Sequence, residues 1–194
     1  MKKTFQLASL FTATFLTSTF ALAEQAPKWD FVQATYATTE IDGAGELDLA
    51  GFGLSGSKLI NESLFLAVSY QNISDTYMGS KLDFNTLMAG IGYRHALSTT
   101  TDVYGIASLV NADFDTSFDD DDDTGYSLSV GVRSMLTNSF ELSGSIAYVD
   151  VFDDDDVSFA INALYYFNAN LSVGASYGIA DDVDTLGASI RYSF

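Results

Sequence analysis

Two aspartate runs carry the densest charge in the chain: Asp119, Asp120, Asp121, Asp122 and Asp123, then Asp153, Asp154, Asp155 and Asp156. Hard divalent cations take several carboxylate oxygens, so such runs raise the question of Ca2+ or Mg2+. Neither run has the spaced ligands, central glycine and closing glutamate of an EF-hand loop. The simpler account is a solvated, self-repelling surface loop; the other is loose cation binding on charge density alone. A second constellation is Arg94, Arg133, Arg191 and Glu141, one acid set among three isolated bases. Catalysis has little to work with. There is no cysteine and a single histidine, His95, and no nucleophile lies at a useful spacing from a base. No enzyme activity and no organic cofactor are expected.

Composition narrows the setting. The chain has 194 residues, with 26 acids against eight Lys and Arg, so phosphate-rich nucleic acid is not a partner. Lys2 and Lys3 precede a weakly apolar run, and Ala21-Leu22-Ala23 has the small-x-small pattern of a cleavage site. The run is too short to span a membrane as a helix. Residues 1–23 are expected to be a cleaved signal peptide and 24–194 a single β-barrel domain.

Elements that could position these groups are read from period-two alternation. It predicts ten strands, at about residues 29–38, 47–58, 63–73, 82–94, 101–112, 124–135, 140–151, 157–167, 171–180 and 185–194. In the last, Leu186, Ile190, Tyr192 and Phe194 alternate with Gly187, Ser189, Arg191 and Ser193. In strand six, Tyr126, Leu128, Val130 and Val132 alternate with Ser127, Ser129, Gly131 and Arg133. Strand five is the least clean, and Tyr104, Ile106 and Val110 are expected on its apolar face.

The second face decides the architecture. A soluble sandwich puts Lys, Glu and Asp on its outer face, whereas this one is Gly, Ala, Ser and Thr with almost no mid-strand charge. Such a face lines a narrow interior, and the Leu, Val, Ile, Phe and Tyr face meets lipid. A strand edge cannot stay unpaired in lipid, so the sheet must close, last strand against first. The expected fold is all-β: a closed antiparallel transmembrane barrel of about ten strands, with eight the main alternative. Strand-end aromatics (Tyr36, Tyr70, Tyr93, Tyr126, Tyr148, Tyr165, Phe167, Tyr192, Phe194) are expected as interfacial girdles. Short turns alternate with longer acidic loops, and the loop end of the barrel holds 21 of the 26 acids. That pattern places the termini in the periplasm and the acidic loops outside the cell. Arg94, Arg133 and Arg191 then fall on the small-residue face near the periplasmic mouth, with Glu141 at the same level. Two readings stay open: a salt-bridge network closing the barrel floor, and a charged constriction that selects solutes. Either way Glu141 is expected to contact at least one arginine, because an unpartnered buried guanidinium is costly.

The strand count, the signal peptide and the terminal aromatic resemble the small outer-membrane β-barrels of Gram-negative bacteria, the OmpX/opacity-like porin family. The ending G-A-S-I-R-Y-S-F, with Ile190, Tyr192 and Phe194 at alternate positions, resembles the signal read by the barrel-assembly machinery. A-G-I-G-Y-R-H-A-L-S-T-T-T-D-V-Y-G (89–105) and Y-S-L-S-V-G-V-R-S-M-L-T-N-S-F-E-L (126–142) resemble a barrel family once labelled a quorum factor. The resemblance implies an outer-membrane location. It also implies outer-membrane lipid, lipopolysaccharide and the assembly machinery as partners of a monomer. The signalling label does not carry over, since a barrel is not a diffusible signal. Two functions are open: a structural or surface-interaction barrel, its acidic loops bridged to lipopolysaccharide phosphates by divalent cations, or a narrow pore for small solutes or ions.

Overall fold

The computed structural model describes residues 25–41, 48–77, 80–116, 120–152, 154–181 and 183–194. The predicted signal peptide lies outside the described residues. Ten strands follow in order: β1 (Phe31–Ile41), β2 (Asp48–Leu59), β3 (Leu64–Tyr77), β4 (Ser80–Ala96), β5 (Thr101–Thr116), β6 (Asp120–Thr137), β7 (Phe140–Val151), β8 (Asp154–Tyr166), β9 (Leu171–Ala180) and β10 (Val183–Ser193). Each pairs antiparallel with its neighbours in the chain, and β10 returns to β1 to close the barrel. The seam runs unbroken from Phe31↔Ser193 to Ile41↔Val183. With ten strands and no open edge, every ladder bond is satisfied within the wall, as hydrocarbon demands.

Alternation then sorts the side chains. Phe52, Leu54, Leu109, Val130, Ile161 and Leu186 project outward and stand well exposed. So large an apolar exterior suits a lipid solvent and not water. The opposite face is crowded, and its glycines make room for rings. A Cβ at Gly92 would lie 2.1 Å from Cζ of Phe65, and one at Gly131 would lie 2.6 Å from Cζ of Tyr104. The inward aromatics therefore lie flat against bare backbone on the next strand.

Three expectations need correction. Strand five faces the other way: Val110 is 1% exposed while Leu109 is 69% exposed, so Tyr104, Ile106 and Val110 share the interior side. Its parity is set by Asp102, which is 1% exposed and has charged partners inside the barrel. The longer loops are mostly strand. Asp120 to Asp123 belong to β6 and Asp154 to Asp156 to β8, and the links left between strands at this end are 42–47, 78–79, 117–119, 152–153 and 181–182. The asymmetry lies in the strands themselves. β4, β5 and β6 have 17, 16 and 18 residues, where about 9–11 cross a bilayer. The surplus stands beyond the apolar band as a hairpin wall in which backbone pairing outweighs side-chain repulsion. Finally, β1 begins at Phe31 and not at Trp29, because Trp29 leaves the sheet and buries its ring at the base of the bore.

The end carrying the turns 60–63, 97–100, 138–139 and 167–170 is called the floor below, and the acidic end the mouth.

Candidate functional site

The floor is built from strand ends and from the segment that precedes β1. The N–H of Trp29 Nε1 donates to Oδ2 of Asp102 at 2.7 Å. Its ring packs on Phe65 at 4.5 Å and on Tyr104 at 5.3 Å between centroids. Arg133 crosses over it, with the guanidinium carbon 4.5 Å from the indole centroid. Arg133 Nε donates to Oε1 of Glu141 at 2.8 Å, and Nη2 donates to the carbonyl of Lys28 at 2.8 Å. The other oxygen of Glu141 accepts from the Tyr166 hydroxyl at 2.9 Å. Arg191 Nε donates to Gln33 Oε1 at 2.8 Å, its guanidinium stacks 4.0 Å from the Phe31 ring centroid, and Nη1 lies 3.8 Å from Glu141 Oε1.

The three arginines are therefore divided. Arg133 and Arg191 share Glu141, whereas Arg94 donates from Nη1 to Asp102 at 2.9 Å and from Nε to the carbonyl of Glu62 at 2.8 Å. Asp102 also sits directly across the ladder from Arg133. The Nη1 of Arg191 makes no hydrogen bond. Within this network three guanidinium charges face two carboxylates, and the ring of Phe31 offers the third a partial counterweight.

Other contacts tie the segment in place. Lys28 Nζ donates to the carbonyl of Ala169. Asp30 accepts from Lys58 Nζ at 2.7 Å and from the Leu59 N–H at 2.6 Å. Burial pushes the Asp30 carboxyl up, but those two donors outweigh it and hold it below the ordinary value. The Phe194 N–H donates to the Asp30 carbonyl at 3.0 Å, and Lys58 lies over the Phe194 ring. Ile190, Tyr192 and Phe194, the residues of the terminal pattern, point outward from β10. Sequence reasoning missed Trp29, Asp102 and Tyr166 as floor residues. The signal that would have found Asp102 is its charge, since an acid beside three inward arginines fixes the parity of its strand.

Above the floor lies a cavity of about 420 Å³ lined by Ser55, Ser69, Ser108, Ser129, Ser145 and Asn162 among others. Trp29, Phe31, Arg133 and Arg191 also line it. Trp29, Phe65, Asp102 and Glu141 are all buried, so the polar bore stops on a packed layer.

The mouth follows another rule. Asp113 faces Asp122 across the β5–β6 ladder, and Asp150 faces Asp155 across β7–β8. Asp121, Asp122, Asp154, Asp155 and Asp156 are exposed, and Asp123 is half-buried. Asp119 and Asp153 lie outside the described residues, as does the side chain of Asp120. Among the described residues no three His, Cys, Asp or Glu converge on a point that would hold a metal ion. His95 is exposed near the end of β4, away from the mouth.

A closed antiparallel barrel with an apolar exterior and a serine-lined bore defines a class, the integral β-barrels of the bacterial outer membrane. The chain belongs to the family described as the outer membrane protein β-barrel domain, whose model matches residues 7–178. Its location is accordingly the outer membrane, as its resemblance to small barrels implied. No curated protein matches the chain by sequence. Solved structures share the fold at low identity. An outer membrane channel from Pseudomonas putida F1 is 11% identical, with 88% of this chain and 97% of that one covered and a TM-score of 0.54. The β domain of the Bordetella autotransporter BrkA is 13% identical, with 87% and 100% covered and a TM-score of 0.52. The KdgM porin in complex with disordered oligogalacturonate is 12% identical, with 84% and 99% covered and a TM-score of 0.50. At these identities the likeness is one of fold alone.

Proposed function

We propose that this protein is a non-conducting outer-membrane barrel, without enzymatic activity, whose role is structural and is exerted at its acidic surface. The observation that carries this reading is the floor: Trp29, Arg133, Glu141 and Asp102 form one buried, mutually bonded layer across the bore. On this reading, solutes that enter the serine-lined cavity are stopped at that layer. The floor faces the periplasm and the mouth the outside, since strands that overhang the bilayer bear the acids there. The carboxylates that face one another across the ladders stand at the level of lipopolysaccharide head groups. Divalent cations bridge them to lipopolysaccharide phosphates, binding loosely and between molecules rather than in a site within one chain. The serine-lined cavity favours the second reading, a narrow pore, which requires the floor to open. Planar-bilayer recording decides between them. Stable insertion without current steps is the expected result, and discrete ion-selective steps from the wild-type protein overturn it. Removal of Ca2+ and Mg2+ is expected to lower the thermal stability of the barrel in lipopolysaccharide-containing bilayers and to leave it unchanged in phospholipid.

A further inference from the structure

The bore changes character along its length. Its lower part mixes serines with Ile106, Met88 and Val149, whereas at the mouth Phe84, Met88, Val110, Val149, Val151 and Phe152 line a second cavity of about 410 Å³. A barrel lumen is ordinarily polar, and bare apolar surface facing a wet bore is unfavourable unless something covers it. Part of it is covered by packing, as Val110 and Ala112 are nearly inaccessible. The remainder is open space of a size that holds a small organic ligand. Phe152 is placed there at a cost. It adopts φ 60°, unusual for a residue other than glycine, and its N–H is held by Asp123 Oδ2 at 2.5 Å. The rim of the same cavity is formed by Asp154, Asp155 and Asp156, and among the described residues no Lys or Arg lines it.

We infer that this cup binds amphipathic organic cations, with an apolar body against Phe84, Val149, Val151 and Phe152 and a positive head at the Asp154–Asp156 rim. Charge selects the class. An anion is repelled by the rim, a neutral apolar molecule gains only burial, and a compact inorganic or methylated cation gains only the field. The inference goes beyond the proposed structural role and does not depend on whether the floor opens.

The test uses the full mature barrel in zwitterionic phospholipid nanodiscs, with empty discs as background. Four probes are titrated by calorimetry: (2-naphthylmethyl)trimethylammonium, its uncharged carbon isostere, 2-naphthylmethanesulfonate, and tetramethylammonium. The naphthyl cation is expected to saturate one site at least about fivefold more tightly than the uncharged isostere at low salt, the advantage shrinking as salt is raised. The Asp154→Asn/Asp155→Asn/Asp156→Asn variant, altered only at exposed positions, is expected to bring cation and isostere to equal affinity. Val149→Phe, which fills the cup, is expected to weaken both roughly tenfold. Phe152→Gly, which relieves the backbone and removes the ring, weakens both as well and serves if Val149→Phe fails to fold. Three results overturn the proposal: no saturable binding, tetramethylammonium binding as tightly as the naphthyl cation, or the sulfonate or uncharged isostere binding as tightly as the cation.

Discussion

Floor and mouth are both crowded with ionisable side chains, and they are assembled on opposite rules. At the floor, opposite charges meet: Arg133 with Glu141 at 2.8 Å, Arg94 with Asp102 at 2.9 Å. At the mouth, like charges face each other, Asp113 with Asp122 and Asp150 with Asp155. The difference is solvent. A charge removed from water must be answered group by group, and any mismatch costs several kcal/mol. A charge in water is answered by counter-ions, and a repelling neighbour across a ladder costs only tenths. The lower ring is therefore fixed in geometry and the upper one is tolerant, so a chain can accumulate aspartates above but cannot drop one carboxylate below.

The sharpest way to break that contrast is Glu141→Gln. It strands Arg133 and Arg191 in a buried layer, and the expected loss is about 3–5 kcal/mol, read from the urea midpoint of the folded barrel by heat-modifiable gel migration. An unchanged midpoint would mean that Glu141 does not hold the two arginines in place. Trp29→Ala follows, at about 3 kcal/mol; it also removes the cover of the bore, so current steps absent from the wild type are expected in planar bilayers. At the mouth, Asp113→Asn with Asp122→Asn has the opposite sign: a gain of up to about 1 kcal/mol at low ionic strength that disappears at high salt. The smallest effect is at Asp30. Its carboxyl is held below the ordinary value in the folded chain, so its contribution is present above the unfolded value and is lost as acid protonates it in the fold. Asp30→Asn is expected to lower stability slightly at neutral pH and to leave it unchanged in acid, where the wild type has already lost the contribution, so the acid limb of the stability curve flattens.

Alternation made most of the wall legible, because outward residues such as Leu128 and Val130 in β6 or Leu186 and Ile190 in β10 alternate with small or polar ones. It failed at β5, where both faces carry apolar residues and only the buried Asp102 distinguishes them. Hydrophobicity there reports filling of the interior by Tyr104, Ile106 and Val110, not contact with lipid. The overhanging strands were hidden because aspartate is disfavoured in strands, yet Asp120 to Asp123 are paired along the full ladder with β5. The arginines and Glu141 were legible as one-sided charges. Their division was not, since Trp29 reaches Asp102 across 73 positions and no local pattern encodes that meeting.

Arg191 stands on the last strand, while Gln33 and Phe31, which receive it, stand on the first, 158 positions away in the case of Gln33. No partial chain can bring these together, and the entropy of joining the two ends must be met before any of their bonds forms. The Arg191 corner of the floor thus forms last, with the seam, and a polypeptide stalled one hairpin short would present an unsealed sheet in which Gln33 and Phe31 lack the guanidinium they receive. Sealing the cylinder and seating its third arginine become a single cooperative event.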